Sequence, residues 1–206
     1  AKSGFLIFQG TRANNFMSKR LIIPNLITLA RLISVPAIIW LILSNKIDIA
    51  FWLFLAAGIS DAIDGFIAKN FDAETELGKF LDPLADKVLL VATYLALGYT
   101  GHLATWLVIL VVFRDLIIVG GALLYETVTH SLEMTPIAIS KVNTVAQILL
   151  ATYVLGANGF VAEHPVVMDM LVATVALTTV LSGGAYIFMW TKLASHAEKA
   201  NPEKDL

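Results

Sequence analysis

Residues 49–99 read IAFWLFLAAGISDAIDGFIAKNFDAETELGKFLDPLADKVLLVATYLALGY. Two apolar blocks, 49–68 and 79–99, flank a short polar junction in this stretch. Each block has about the 20 residues that a helix needs to cross a bilayer. Because the membrane interior offers no water to the backbone, we predict that both blocks are helices. Their short connection predicts that the two helices are antiparallel neighbours.

Four more apolar blocks of similar character cover about 25–44, 103–125, 142–157 and 166–190. Of the 206 residues, 58% are hydrophobic and 15% are charged. Soluble domains have about 45–50% apolar and about 25% charged residues. We therefore predict an all-α integral membrane protein with six transmembrane helices, in one domain over 17–194.

The two ends of the chain differ from this pattern. Residues 1–16 form a weakly amphipathic lead-in that we set apart from the fold. This segment is either native or derived from an expression vector, with Met17 as the natural start in the second case. Residues 195–206 are polar, and we expect a frayed tail there.

The distribution of basic residues predicts the orientation. The loops on the other side hold only Lys46, so the positive-inside rule places both termini in the cytoplasm. Trp40, Trp52 and Trp106 fall near the outer ends of their spans, where either an aromatic belt or packing explains them. The basic residues of the cytoplasmic side are Lys19, Arg20, Lys69, Lys79, Lys141, Lys192, Lys199 and Lys204.

The overall charge and the missing cysteines exclude several functions. The formal net charge is −2, which gives no support for nucleic-acid binding. The chain has no cysteine, so disulfides, thiolate catalysis and thiolate metal sites are excluded.

Carboxylates gather around the junction between the second and third blocks. Asp61 and Asp64 are three residues apart, and Asp82 and Asp86 are four apart, so each pair shares a helix face. Four carboxylates near a membrane are costly unless protons or cations neutralise them. Oxygen ligands without nearby His or Cys suit Mg²⁺, with Mn²⁺ as the alternative. Such a set can hold two ions about 3.5–4 Å apart, a spacing used for displacement at phosphorus.

Small residues accompany the carboxylates. Gly65 and Ala68 lie on the helix face of Asp61 and Asp64, and Gly78 precedes Asp82 by one turn. Small side chains allow either a ligand or a neighbouring helix to approach the backbone closely. Helix packing alone does not require four carboxylates, so the whole cluster favours a ligand site.

The complete pattern is Asp-x2-Asp-Gly-x2-Ala-Lys-x8-Gly-x3-Asp-x3-Asp, from residue 61 to residue 86. It resembles the signature of the CDP-alcohol phosphotransferases, a family of integral membrane enzymes. One fixed position differs, because the family usually has Arg where this chain has Lys69. Lysine keeps the charge but loses the planar fork that binds phosphate through two nitrogens.

The resemblance implies a six-helix homodimer whose site opens to the cytoplasmic face. It implies that an acceptor hydroxyl attacks a CDP-linked lipid and that CMP leaves. It also implies that Asp86 is the general base and that two divalent ions bind to four ligands. By position, the metal ligands are Asp61, Asp64, Asp82 and Asp86, and the CDP-binding residues are Asn25, Thr28, Asp61, Gly65, Ala68, Lys69 and Gly78.

Three basic residues are candidates for binding the acceptor phosphate. Arg31 follows a Pro-Asn-x2-Thr-x2-Arg run that is similar to one in the family, although it could instead extend to the headgroups. Arg114 lies inside the fourth block, where a basic residue is a functional candidate by default. We do not expect it to pair with Asp115, because adjacent helical residues point in different directions. Lys141 is either a phosphate ligand or a positive-inside anchor.

Two features favour one branch of the family over another. Asp115 stands where phosphatidylglycerophosphate synthases usually have Glu, and the run 139–144 lacks the second lysine of their Gly-Lys-x-Lys-Thr motif. The resemblance is therefore greatest to the eukaryotic-type cardiolipin synthases, which join CDP-diacylglycerol to phosphatidylglycerol. A phosphatidylglycerophosphate synthase, with glycerol 3-phosphate as acceptor, is the alternative.

A divalent-cation transporter is a more distant alternative. Transporter sites usually lie near the midplane and between repeated halves. Here the carboxylates gather at one end, and the sequence shows no internal repeat. We expect the chain to lie in a bacterial inner membrane, rather than a mitochondrial inner membrane, with its site facing the cytoplasm or matrix.

Overall fold

The structure, a computed structural model, describes residues 28–71, 76–129, 138–160 and 164–200. Within these ranges, it describes the backbone but not the side chains of residues 61–71, 76–84, 122–129 and 192–200. The predicted lead-in, 1–16, and the predicted nucleotide ligand Asn25 lie outside the described residues.

The described residues form helices and contain no strand. Each of the six predicted apolar blocks coincides with one helix, so the all-α prediction is confirmed for these residues. Most of the helices are longer than the apolar blocks. Their bounds are α1 Thr28–Leu43, α2 Ile47–Phe71, α3 Glu76–Tyr99, α4 Thr105–Thr129, α5 Ala138–Phe160 and α6 Pro165–Ala200.

The last helix continues into the segment that we predicted as a frayed polar tail. Helix α6 ends at Ala200, so the first residues of that segment, 195–200, are helical. The physical reason is the local sequence, because Ala-Ser-His-Ala-Glu-Lys-Ala contains no helix breaker and the next proline is Pro202.

In the described part of the chain, two helices are long and apolar enough to cross a membrane. They are α5 over its whole length, Ala138–Phe160, and the part of α6 from Pro165 to Thr191. Only 17% of the apolar window in α6 is buried, whereas the core helix of a soluble protein is mostly buried. Shorter apolar helical stretches are Thr28–Leu43 and Ile47–Ser60 among the described residues. Six spans and cytoplasmic termini therefore remain a prediction.

The three tryptophans predicted near the outer ends of their spans are exposed. Trp40, Trp52 and Trp106 are 60%, 60% and 55% accessible, and each lies close to a helix end. The ammonium group of Lys46 lies 5.2 Å from the ring centroid of Trp40. Their exposure argues against packing in the interior of this chain, and the aromatic belt remains a prediction.

The chain divides into two compact units, Ala1–Ala96 and Leu97–Leu206. In the first unit, buried residues recur along one face of each helix. Helix α1 buries Val35, Ile38 and Ile42, helix α2 buries Ile47, Ala50, Phe54 and Ala57, and helix α3 buries Ala85, Leu89, Leu90 and Tyr94.

The turn between α1 and α2 is a Schellman motif. The amide of Lys46 donates to Leu41 O at 2.9 Å, and the amide of Asn45 donates to Ile42 O at 3.0 Å. Asn45 has φ 57°, the left-handed conformation that asparagine tolerates better than most residues. Gly101 has φ 80° in an equivalent motif after α3, where the amide of His102 donates to Leu97 O at 2.9 Å.

The second unit is built around α6, which packs against both α4 and α5. The buried residues of α6 are spaced at helical periodicity, as Val175, Thr179, Ser182 and Tyr186. Several of the buried side chains in this unit are polar. The buried polar residues are Arg114, Asp115, Asn143, Gln147, Thr179 and Ser182.

At Gly121, helix α4 lies close to the Trp190 side chain of α6. A Cβ atom there would lie 2.6 Å from both Cε2 and Nε1 of Trp190, whereas one at Gly120 would meet nothing within 4 Å. We expect Gly121→Ala to destabilise the protein by about 1–3 kcal/mol, because the indole ring must move. Gly120→Ala is the matched control, and its removal of a helical glycine should be neutral or stabilising by about 0.5–1 kcal/mol. Thermal unfolding in detergent measures both, and equal melting temperatures would contradict the close crossing.

Candidate functional site

The backbone places the predicted carboxylates on two consecutive helices. Asp61 and Asp64 lie in the C-terminal half of α2, and Asp82 and Asp86 lie in the N-terminal half of α3. Both pairs fall within continuous helix, so the spacings of three and four residues place each pair on one face. The short connection predicted between the two helices is confirmed, because α2 ends at Phe71 and α3 begins at Glu76.

The structure describes only the backbone of most of the predicted metal and nucleotide ligands. These residues are Asp61, Asp64, Gly65, Ala68, Lys69, Gly78 and Asp82. Among the side chains that the structure does describe, no three His, Asp or Glu residues form a group that could hold a metal ion. Of the four predicted carboxylates, Asp86 is therefore the one whose side-chain contacts the structure describes.

Asp86 forms an ion pair with an arginine of the first helix. Arg31 Nη1 donates to Asp86 Oδ1 at 2.7 Å. The Arg31 side chain is 1% exposed and the Asp86 side chain is 43% exposed. The guanidinium group is thus enclosed by protein, whereas a large part of the carboxylate side chain is accessible. The neighbouring Ala85 is fully buried and anchors this turn of α3 in the core.

Two predicted ligands on α1 are buried. Thr28, a predicted nucleotide ligand, is 1% exposed and lies one turn before Arg31. Both side chains are on the face of α1 that also buries Val35 and Ile38. The predicted role of Arg31 as a ligand of acceptor phosphate requires the phosphate to reach this enclosed guanidinium group.

Arg114 links the three helices of the second unit. Its Nη1 donates to Asp115 Oδ1 at 2.6 Å, and its Nη2 donates to Ser140 Oγ of α5 at 2.6 Å. Its Nε donates to Ser182 Oγ of α6 at 3.2 Å, and Nη2 is also bonded to that hydroxyl. All three nitrogens of the guanidinium group therefore have partners within the protein.

The ion pair between Arg114 and Asp115 corrects the sequence analysis, which expected none. The Cα–Cβ bonds of adjacent helical residues do diverge, but the arginine side chain is long and flexible enough to reach the neighbouring carboxylate. Arg114 and Asp115 are only 2% and 5% exposed. Because buried charges are stable only when they are paired and hydrogen-bonded, the guanidinium group bends back to the neighbouring carboxylate.

The third candidate for the acceptor phosphate has a different environment. Lys141 is exposed in the first turn of α5, next to Ser140. An exposed lysine fits both of the roles that the sequence left open, a phosphate ligand and an anchor at the membrane surface. Arg31 belongs to the first unit, and Arg114 and Lys141 belong to the second.

Sequence analysis missed a second polar contact, between α5 and α6. Asn143 Oδ1 accepts hydrogen bonds from Thr178 Oγ1 at 2.8 Å and from Thr179 Oγ1 at 2.9 Å. Gln147, one turn further along α5, is also fully buried. The signal in the sequence is the spacing of Ser140, Asn143 and Gln147 along one helix face in an otherwise apolar block. Polar residues in this arrangement join membrane helices.

Comparison with known proteins identifies the family. The profile of the CDP-alcohol phosphatidyltransferase family matches residues 21–193. The chain is 32% identical over 180 residues to the cardiolipin synthase (CMP-forming) of Rattus norvegicus, which covers 80% of this chain and 60% of the relative. It is 34% identical over 183 residues to CDP-diacylglycerol–glycerol-3-phosphate 3-phosphatidyltransferase 1, chloroplastic, of Oryza sativa subsp. japonica, covering 79% of this chain and 56% of the relative.

A bacterial relative matches over more of its own length. The chain is 30% identical over 170 residues to a probable phosphatidylglycerophosphate synthase of Mycobacterium tuberculosis, covering 79% of this chain and 78% of the relative. The chain belongs to the CDP-alcohol phosphatidyltransferase family, as the resemblance of residues 61–86 predicted. It spans 60% and 56% of the lengths of the rat and rice relatives.

Proposed function

We propose that this chain transfers the phosphatidyl group of CDP-diacylglycerol to phosphatidylglycerol, producing cardiolipin and CMP. The observation that carries the proposal is the carboxylate pattern of residues 61–86, which lies on two consecutive helices in a chain of this family. Family membership also favours an enzyme over the transporter that the carboxylates alone would allow.

The reaction is a direct displacement. The acceptor hydroxyl oxygen attacks the lipid-linked β-phosphorus, the bond from this phosphorus to the oxygen of CMP breaks, and CMP leaves with the bonding pair. The hydroxyl proton passes to Asp86, the proposed general base. Carboxylates are weak bases for alcohols, but transfer becomes favourable as the new bond to phosphorus forms. No covalent intermediate on the enzyme is needed.

The donor set fits divalent cations. Asp61, Asp64, Asp82 and Asp86 offer only carboxylate oxygens, which are the ligands that Mg²⁺ and Mn²⁺ prefer. Each pair shares a helix face on the described backbone, so two carboxylates of each helix can act together. Two bound Mg²⁺ ions would neutralise the pyrophosphate and stabilise the departing phosphate of CMP.

The remaining proposed ligands surround the nucleotide and the acceptor. We assign CDP binding to Asn25, Thr28, Asp61, Gly65, Ala68, Lys69 and Gly78. Of the three basic candidates for the acceptor phosphate, we assign the role to Lys141, because it is exposed, whereas Arg31 and Arg114 are enclosed by protein. The proposed setting is a homodimer in an inner membrane, bacterial rather than mitochondrial, with the site open to the cytoplasm or matrix.

The identity of the acceptor rests on particular residues. Asp115 replaces the usual Glu of phosphatidylglycerophosphate synthases, and the run 139–144 has one lysine fewer than their motif. A lipid phosphodiester carries one negative charge, so it needs less positive charge than the dianionic phosphate of glycerol 3-phosphate. The alternative, transfer to glycerol 3-phosphate, is supported by the names of the rice and mycobacterial relatives.

Product analysis separates the two acceptors. Purified protein in detergent micelles receives CDP-diacylglycerol and Mg²⁺ with phosphatidylglycerol, with glycerol 3-phosphate, or with both. We expect cardiolipin and CMP in equal amounts from the first mixture, and no phosphatidylglycerophosphate from the second. Mass spectrometry of the lipids measures both products. Exclusive use of glycerol 3-phosphate would overturn the proposed acceptor while keeping the reaction type.

A further inference from the structure

We propose that Arg31 is a positioning residue for Asp86, the carboxylate to which the proposed function assigns the proton transfer. The sequence suggested a different role for Arg31, as a ligand of acceptor phosphate. The contact between α1 and α3 in the first unit supports the positioning role. This inference rests on the proposed function, because it assumes that Asp86 is the base.

The burial of the two partners differs in a way that suits this role. The Arg31 side chain is 1% exposed, so its guanidinium group reaches the carboxylate from inside the helix packing. The Asp86 side chain is 43% exposed, so it remains accessible to a substrate. A residue that binds substrate phosphate directly is expected to be accessible, and Arg31 is not.

The geometry of the contact restricts how the carboxylate can turn. Arg31 Nη1 lies 2.7 Å from Asp86 Oδ1, the distance of a charge-assisted hydrogen bond. A carboxylate with an oxygen bonded to a buried arginine has fewer orientations available. The bond therefore increases the share of time that the carboxylate spends in an orientation able to accept the hydroxyl proton.

The backbone on both sides of the contact is also held. Arg31 lies on the buried face of α1 between Thr28 and Val35, and Asp86 follows the fully buried Ala85 of α3. A positioning residue must be held firmly, and both residues lie on helices with buried faces, which hold side chains more precisely than loops do.

The test is a double-mutant cycle with steady-state kinetics. The variants are Arg31→Gln, Asp86→Asn and the double variant, assayed for CMP release with CDP-diacylglycerol or phosphatidylglycerol varied up to saturation while the other is saturating. We expect Arg31→Gln to lower kcat by about 10–100-fold, because misplacement of a reacting group by about 1 Å can cost about 100-fold. We expect both KM values to remain within about two-fold of the wild type, and no additional loss of kcat when Arg31→Gln is added to Asp86→Asn.

A conservative variant and a control separate positioning from folding. Arg31→Lys should recover part of the lost kcat, since lysine can supply a charged donor in place of Nη1. It also keeps the test usable if Arg31→Gln does not fold. Val35→Ala, one turn along the same buried face, should lower the melting temperature without lowering the kcat of the folded protein.

Each contrary outcome has a distinct meaning. An increase in the KM for the acceptor, with unchanged kcat in Arg31→Gln, would overturn the positioning role and support phosphate binding. If Arg31→Gln lowered kcat by the same factor in the wild type and in Asp86→Asn, the two residues would act independently. This result would also overturn the positioning role. If Asp86→Asn itself kept full activity, the assignment of the base in the proposed function would fail, and the inference about Arg31 would fail with it.

Discussion

Asp86→Asn is expected to lower the kcat for CMP release by about 10²–10⁴-fold, the usual contribution of a general base. Asparagine has almost the same size as aspartate and still offers an oxygen to Arg31, but it cannot accept the proton of the acceptor hydroxyl. The described geometry supports this choice of residue, because the Asp86 side chain is 43% exposed and is held by Arg31 at 2.7 Å. The measurement is CMP release under saturating substrates.

The control for this prediction is an acidic residue in the same unit with no assigned role. Asp48 is exposed in the first turn of α2, so Asp48→Asn should keep the wild-type kcat. Binding of CDP-diacylglycerol to Asp86→Asn should also persist, since three other carboxylates remain. Wild-type turnover by Asp86→Asn would rule out Asp86 as the base.

Arg114→Met is expected to have the largest effect on stability. The change removes the hydrogen bonds to Asp115, Ser140 and Ser182, and it deprives a buried carboxylate of the guanidinium group 2.6 Å away. Loss of one partner from a buried ion pair typically costs about 3–5 kcal/mol. We therefore expect a large decrease in the melting temperature of the purified protein in detergent.

Two further variants test the cause of this loss. The double variant Arg114→Met/Asp115→Leu should recover part of the stability, because it removes the uncompensated carboxylate. Phe113→Ala, on an exposed position of α4 that is 61% accessible, should change stability much less. An unchanged melting temperature in Arg114→Met, together with a raised KM for the acceptor, would instead show that Arg114 binds the acceptor phosphate.

The helices could be predicted from the sequence because their signal is local. Long apolar blocks must satisfy their backbone hydrogen bonds internally at membrane depth, and all six blocks coincide with helices among the described residues. Their ends were less predictable. Helix α5 begins at Ala138 and α6 continues to Ala200, because polar residues at the ends of a span also favour helix.

The candidate site was predictable in its residue types but not in its contacts. The spacing of the carboxylates follows from helical geometry, and the family match supports the interpretation. The pairing of Arg31 with Asp86 joins residues 55 positions apart and depends on how α1 packs on α3. The contacts of Arg114 with Ser140 and Ser182 depend likewise on three helices meeting. No local sequence pattern predicts such contacts. The divergence of adjacent helical side chains also led to a wrong prediction for Arg114 and Asp115.

The most direct test of the central claim is whether CMP release requires an alcohol acceptor and a divalent cation together. Purified, folded protein receives CDP-diacylglycerol with or without phosphatidylglycerol, and with Mg²⁺ or with excess chelator. We expect CMP release only when both phosphatidylglycerol and Mg²⁺ are present, with cardiolipin formed in equal amount. CMP release that persists in the presence of the chelator, or no release with any alcohol acceptor, would contradict it.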